Sequence, residues 1–140
     1  MANARPGGWN ESIIEQFRAN AGQMKSGPFA GRSLLLLTTK GAKTGTDRTS
    51  PVVYSRDGDR LVIVASKGGA PTHPAWYHNL RANPEVTVEV GAEKFRARAS
   101  VPTDPERRRL YDQHARPMPQ FLEYEKKTTR KIPVVVLERI

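Results

Sequence analysis

Apolar and polar positions follow two different patterns along this chain. SLLLLTT at 33–39 is a continuous apolar run ending in β-branched residues, too short for a helix, and reads as a strand buried on both faces. IPVVVLE at 132–138 reads as the closing strand. Strict alternation appears instead at Val86, Val88 and Val90 and again at Phe95, Ala97, Ala99 and Val101, either side of Gly91-Ala92, which predicts a hairpin. A second hairpin is expected where RTSPVVYS (48–55) and RLVIVAS (60–66) flank Arg56-Asp57-Gly58-Asp59, because Asp-Gly readily adopts the positive φ of a tight turn. Pro51 cannot donate to a ladder, so its strand belongs at an edge or carries a bulge.

Helical spacing is confined to short segments. Ile13, Ile14 and Phe17 predict a helix capped by Asn10 or Ser12, with Ser12 and Glu15 as a capping box and Gly22 as its stop. Ala75 to Ala82 is a helix ended by Asn83-Pro84. Thr103 and Glu106 fit another capping box for a helix over 104–115, and a further helical piece runs from about Pro119 to Thr128. Six strands, with three or four short helices and no regular βαβ alternation, argue for an α+β, mainly antiparallel sheet closed into a small barrel with helices outside. With 140 residues and no repeat or internal linker, one domain spanning 1–140 is expected, its first 32 residues a helix and loop.

Composition then limits the chemistry. Lys and Arg number 23 against 14 Asp and Glu, a formal charge of +9, which favours a polyanionic partner: nucleic acid, an anionic membrane or a phosphorylated cofactor. Cysteine is absent, which removes disulfides and thiol chemistry and suits the cytosol. The amino end has no signal-peptide run, and no window reaches the ~18 apolar residues of a span. With Ile13, Ile14 and Phe17 as its stripe, the first helix offers at most weak peripheral membrane contact. His73, His78 and His114 lack acidic partners at ligand spacing, so no metal site is expected, and nothing like GxSxG supports a triad. Asp104, Glu106, Glu123 and Glu125 read as solvated charge on helix surfaces, and Arg107 to Arg109 as a solvated basic face.

GAKTGTDRTSPV, residues 41–52, is not a P-loop, since GxxxxGK[ST] would need glycine where Leu37 and Ala42 stand. It reads either as an anion nest, with backbone N–H groups around Gly41, Thr44 and Gly45 and charge from Lys43 and Arg48, or as a solvated hairpin loop. Ser66-Lys67-Gly68-Gly69 reads as a close backbone approach to a ligand or as a flexible loop. Trp76, Tyr77 and Asn79 floor a planar ligand or cap the core.

Taken together, TTKGAKTGTDRTSPVVY and RDGDRLVIVASKGGAPTHPAWYHNLRANPEVTVEV resemble the deazaflavin-dependent nitroreductase family, the F420H2-dependent reductases of the split β-barrel superfamily. The resemblance covers the chain from about Leu34 to its last strand. It implies a six- to seven-stranded antiparallel split barrel holding coenzyme F420, with FMN the less favoured cofactor. By this resemblance Lys43 and Thr44, then Arg48, Thr49, Ser50, Pro51, Val52 and Val53, hold the cofactor's phosphate and oligoglutamate. Val64, Ala65, Ser66 and Lys67 flank the ring, as do Ala75, Trp76, Tyr77, His78 and Asn79.

The implied reaction is hydride transfer from reduced F420 to a conjugated enone, quinone or nitroaromatic, with the cofactor supplying the difficult chemistry. No protein nucleophile is needed; a donor near the acceptor oxygen is, and Ser66 is the first candidate, Tyr124 the second. Met118, Phe121 and Tyr124 would form the acceptor wall. The chain departs from the tyrosine-rich nitroimidazole-activating members in this stretch, where RPMPQFLEY has only Tyr124, and it has Ala42 where an arginine is common. The more apolar wall favours bulky enones or quinones. The rival readings are a cofactor or lipid carrier without turnover, and a nucleic-acid-binding barrel supported only by the basic surplus. A monomer or homodimer acting on a small molecule is expected, without nucleic acid.

Overall fold

The computed structural model describes residues 6–25, 27 and 29–140, with side chains from Glu11 onward. The remaining residues, which include part of the amino end, the Asn10 side chain proposed as a cap and part of the 27–32 loop, lie outside the described residues. In chain order the elements are α1 (Pro6–Ala19), β1 (Leu34–Lys40), β2 (Asp47–Val53), β3 (Ser55–Asp57), β4 (Arg60–Val64), α2 (Ala75–Ala82), β5 (Glu85–Val90), β6 (Glu93–Ser100), α3 (Glu106–Ala115), α4 (Gln120–Lys126) and β7 (Val134–Arg139). A single 3-10 turn, Lys67–Gly69, precedes α2.

All strand pairs are antiparallel, and they form one seven-stranded sheet in the order β2-β1-β5-β6-β7-β4-β3. The edges are β2 and β3, yet only Tyr54 separates them in sequence. Two trans peptide steps span at most about 7.6 Å, so the sheet must curl until its edges almost meet at Tyr54. The two edges do not pair with each other, and the barrel stays split.

Here the expected pairing of 48–55 with 60–66 is corrected. Residues 47–53 pair with β1, from Leu34 opposite Val53 to Lys40 opposite Asp47, and only 55–57 pair with β4. The Tyr54 N–H donates to Ser33 O at 3.0 Å, after which the chain crosses to the other edge. The seventh strand arises from this division. The tight turn itself lies at Gly58 and Asp59, where Gly58 supplies the positive φ of 63°. Pro51 sits on an edge strand, where its missing N–H breaks no second ladder.

Side-chain alternation explains the two sequence patterns. Leu35 and Leu37 point into the barrel with Leu61, Ile63, Val135 and Leu137, whereas Leu34 and Leu36 pack outward against Ile13 and Phe17 of α1. Val62, Val64, Val134 and Val136 face outward under Leu110, Tyr111 and Phe121 of α3 and α4. These strands are apolar throughout because helices cover their outer faces. Strands β5 and β6 alternate because Val86, Val88, Ala97 and Ala99 face in while Glu85, Arg96 and Arg98 are exposed. The apolar stripe of α1 packs against the sheet, Ile13 being 4% and Phe17 1% exposed. Arg18 adds a two-pronged ion pair to Glu89 of β5, at 3.0 and 2.8 Å.

The capping expectations fail for identifiable reasons. Helix α1 is already formed at Pro6, so Ser12 lies in its interior and caps nothing. Helix α3 begins at Glu106, with no side-chain cap, because Glu106 is held by Arg109 and Arg60 and Asp104 by Arg107 and Lys131. The carboxylates read as solvated are thus ion-paired, Glu123 with Lys126 and Glu125 with Arg108 included. Nor is the arginine run a free basic face: Arg107 is buried and donates to Ile132 O at 2.9 Å. Among the described residues, no helix is long and apolar enough to cross a membrane.

Candidate functional site

The β1–β2 turn is folded by its own backbone. Gly41 N–H donates to Thr46 O at 2.7 Å and Gly45 N–H to Gly41 O at 2.9 Å, while Thr46 N–H donates to Thr44 Oγ1 at 3.2 Å. A Cβ on Gly41 would sit 2.6 Å from Thr44 Oγ1 and 3.2 Å from Thr46 O, so a larger residue would displace the Thr44 hydroxyl from its place in the turn. The Ala42 N–H donates to Asn79 Oδ1 at 2.9 Å, and Asn79 Nδ2 donates to Thr39 Oγ1 at 3.1 Å. Asn79, buried on α2, therefore pins the turn to the helix. The anion nest expected around Gly41, Thr44 and Gly45 is narrower than its sequence implies: both glycine amides are consumed within the turn. The amides of Lys43 and Thr44 are left without a partner among the described residues.

Beside this turn lies a groove of about 810 Å³. Lys43 and Thr44 line it from the turn, Arg48, Thr49 and Ser50 from the unpaired edge of β2, and Ala75, Trp76, His78 and Asn79 from α2. Lys43 and Arg48 are exposed, and among the described residues neither has a carboxylate within ion-pair distance. Three contributors were not anticipated: Asp47 lines the groove from the start of β2, and Glu11 and Ile14 close it from α1. The apolar stripe of α1 was visible, but no local signal says which barrel edge a helix covers.

Other expected residues are placed elsewhere. Val52, Val64 and Ala65 are at most 9% exposed and their side chains belong to the core, so a ligand can meet them only through backbone. Pro51 lies opposite Leu36 on the half-buried outer face. Tyr77 stacks against His73 at 4.7 Å and carries the Arg81 guanidinium at 5.9 Å, away from the groove.

Ser66 ends β4's extension at 6% exposure and lines neither of the grooves described here. Its carbonyl is held by Arg130, whose Nη2 donates at 2.8 Å while Nε donates to Ala70 O at 2.9 Å. Arg130 Nη1 lies 2.8 Å from His73 Nδ1; guanidinium only donates, so that nitrogen accepts and the ring is neutral. Burial first, then Arg130 and His78, push the His73 pKa below its ordinary value. The Ser-Lys-Gly-Gly loop is therefore clamped rather than loose. Lys67 donates to Thr72 Oγ1 at 3.2 Å, and a Cβ on Gly69 would approach Tyr124 O to 3.0 Å. Nothing in TTRKIP singles out Arg130 in advance.

A second groove, of about 400 Å³, lies farther along β2, where Val53 meets Phe121 and Tyr124 of α4 together with Phe29 and Arg32. Met118 does not line it and packs against the cluster beneath α4. Ser50, opposite the inward Leu37, and Val53, opposite the outward Leu34, are three strand residues apart, about 10 Å along β2. Among the described residues, no group of three or more His, Asp or Glu is placed to hold a metal ion.

The donor set suits a phosphorylated cofactor: two unpaired cations, two open amides, hydroxyls along an unpaired edge and the half-buried Trp76. Sequence comparison agrees. Residues 9–139 match the family described as F420H(2)-dependent quinone reductase. An F420H(2)-dependent quinone reductase of Mycobacterium tuberculosis is 49% identical over 115 residues, 80% of this chain and 76% of the relative. The solved structure of an F420-H2 dependent reductase superposes with a TM-score of 0.70 at 38% identity, covering 76% of this chain and 95% of the other. Another, a domain-swapped dimer, gives 0.72 at 34% identity over 95% and 99%. The chain belongs to the F420H(2)-dependent quinone reductase family, enzymes whose cofactor is the reduced deazaflavin F420.

Proposed function

We propose that this protein reduces quinones, and related conjugated enones, at the split edge of its barrel, with the anionic tail of F420 in the larger groove and the acceptor against Phe121 and Tyr124. The observation that carries this reading is a pair of cations without an ion-pair partner among the described residues, Lys43 in the β1–β2 turn beside open amides and Arg48 on the unpaired edge of β2. When bound, the reduced cofactor supplies the hydride. The chain's own task is to hold the tail, orient the ring and exclude water.

Lys43 and Arg48 meet the tail's negative charge, while Thr44, Thr49 and Ser50 offer hydroxyl partners and Asn79 keeps the turn in place. Trp76 offers a flat apolar surface. As hydride arrives, negative charge gathers on the acceptor oxygen, and a hydrogen-bond donor there lowers the barrier. Tyr124, a wall of the acceptor groove, is assigned that donor role; Ser66, the first candidate in the sequence, lines neither groove and is left to anchor the loop through its carbonyl, which Arg130 holds. The apolar lining of Val53, Phe29 and Phe121 suits quinones better than small polar nitro compounds. The domain-swapped structural relative supports a homodimer.

The deciding experiment is titration with F420 and, in parallel, FMN, followed by mixing the reduced complex with menadione and with cyclohexenone. Micromolar or tighter F420 binding with cofactor oxidation is expected. Binding without oxidation would indicate a carrier, and FMN preference would overturn the cofactor assignment. Tyr124→Phe should lower kcat at least tenfold at unchanged F420 affinity; full turnover would remove Tyr124 from the donor role.

A further inference from the structure

His114 is wholly buried on α3, yet the proposed reaction gives it no task. Its Nδ1 lies 2.7 Å from Ser55 Oγ, the residue that opens β3 just after the crossover at Tyr54. Its ring meets Phe121 edge to face, with centroids 4.5 Å apart, and Phe121 meets Tyr124 in the same manner at 5.2 Å. Both partners line the smaller groove. The His114 Nε2 is buried and has no hydrogen-bond partner among the described residues. An apolar side chain of similar size would avoid that desolvation, so what the imidazole offers here is its Nδ1 bond and the orientation that bond imposes.

The backbone of the same wall is held from the same helix: Tyr111 OH donates to Phe121 O at 2.5 Å. Helix α3 thus grips Phe121 twice, Tyr111 fixing its main chain and His114 its ring. Burial holds the imidazole neutral, its pKa pushed down to about 4, so the contact carries no charge into the groove wall.

We propose that His114 is a positioning residue for the acceptor wall, tying the ring of Phe121 to the Tyr54 crossover through Ser55 and so setting the shape of the groove at Phe121 and Tyr124. This rests on the reading of that groove as the acceptor site, but the positioning itself is tested without cofactor.

The protein has 4 phenylalanines, so NMR of the 13C-Phe-labelled chain separates their ring signals. In Ser55→Ala and in His114→Gln, the Phe121 ring signals should shift and broaden or flip faster, while those of Phe17 and Phe95 stay in place. With F420H2 present, both variants should raise the KM for menadione at least fivefold, with F420 affinity within twofold of wild type and a smaller change in kcat. Phe121 signals unchanged in both variants would overturn the proposal, as would a lowered unfolding temperature with an unaltered menadione KM. Ser55→Ala removes one hydroxyl and keeps the test valid if His114→Gln folds poorly. A wild-type enzyme that fails to oxidise F420H2 with menadione would defeat the proposed function, and the NMR result would still decide the positioning role.

Discussion

Two stretches of this chain look equally basic in the sequence: Lys43 with Arg48, and Arg107 with Arg108 and Arg109. The structure treats them oppositely. On α3, Arg107 pairs with Asp104, Arg108 with Asp112 and Glu125, and Arg109 with Asp57 and Glu106. At the β1–β2 turn, Lys43 and Arg48 face a groove with no such partner among the described residues. A cation that is already hydrogen-bonded to carboxylates has little attraction left for a ligand. The fold's positive charge therefore divides into a structural part and a recognition part, and only the second can answer an anionic cofactor. The same division weakens the nucleic-acid reading, since its main basic run is neutralised locally.

This contrast is broken most severely by removing the recognition pair. Lys43→Ala with Arg48→Ala should weaken F420 binding about 100-fold, roughly 2.7 kcal/mol, as expected for two charge-assisted contacts. Fluorescence titration reads the affinity, and the unfolding temperature should stay near that of wild type because neither side chain is paired. Equal losses of stability and affinity would show that the turn is structural. The converse change is Arg107→Leu. It should cost about 2 kcal/mol in urea unfolding by stranding the buried Ile132 carbonyl, while F420 affinity of the folded protein stays within twofold.

The two arginine environments could not be separated in the sequence because ion pairing is nonlocal: Asp57 reaches Arg109 across 52 residues and Glu125 reaches Arg108 across 17. Nonlocality also explains the other differences. The apolar runs 34–37 and 61–64 were legible as strands because burial on both faces leaves no polar position to misread. Helix α2 was legible because Asn83-Pro84 stops it locally. The division of 48–55 at Tyr54 was not, since both halves are good strand sequence and only the sheet order decides their partners. Capping boxes at Ser12 and Thr103 matched a local pattern, but α1 already runs through Ser12 and Arg109 holds the Glu106 carboxylate. In the groove, the turn, the β2 edge and α2 were visible as motifs. The wall from Glu11 and Ile14, the clamp from Arg130 and the His114–Ser55 link depend on packing and left no motif to find.

A pH titration of stability sharpens the comparison. His114 titrates at about 4 against an ordinary 6.5 because burial disfavours its charge, and His73 is lowered for the reasons given above. The native state thus holds fewer protons than the unfolded chain, and stability present above pH 6.5 is lost as pH falls toward 4. His114→Gln should flatten most of that slope, with His73 supplying the remainder. Asp57, Asp104 and Glu106 are also depressed, Asp57 chiefly by Arg109 and Arg60. Their contribution is present above about pH 4 and disappears only below it. Neither His114 nor His73 lines the larger groove, so cofactor affinity of the folded protein should not follow this curve.

The smallest effect is expected from salt and from Arg109. Exposed charges are screened over about 10 Å at 0.1 M ionic strength, so raising salt should weaken F420 binding progressively. The unfolding midpoint should change little, because α3's pairs are in direct contact and those at the surface contribute modestly. Arg109→Gln removes contacts to Asp57 and Glu106 that lie largely in water, and its midpoint should stay close to that of wild type. It should also leave the salt dependence of F420 binding untouched, whereas Lys43→Ala should reduce that dependence. If Arg109→Gln altered the salt slope as much as Lys43→Ala, the separation of structural from recognition charge would be wrong.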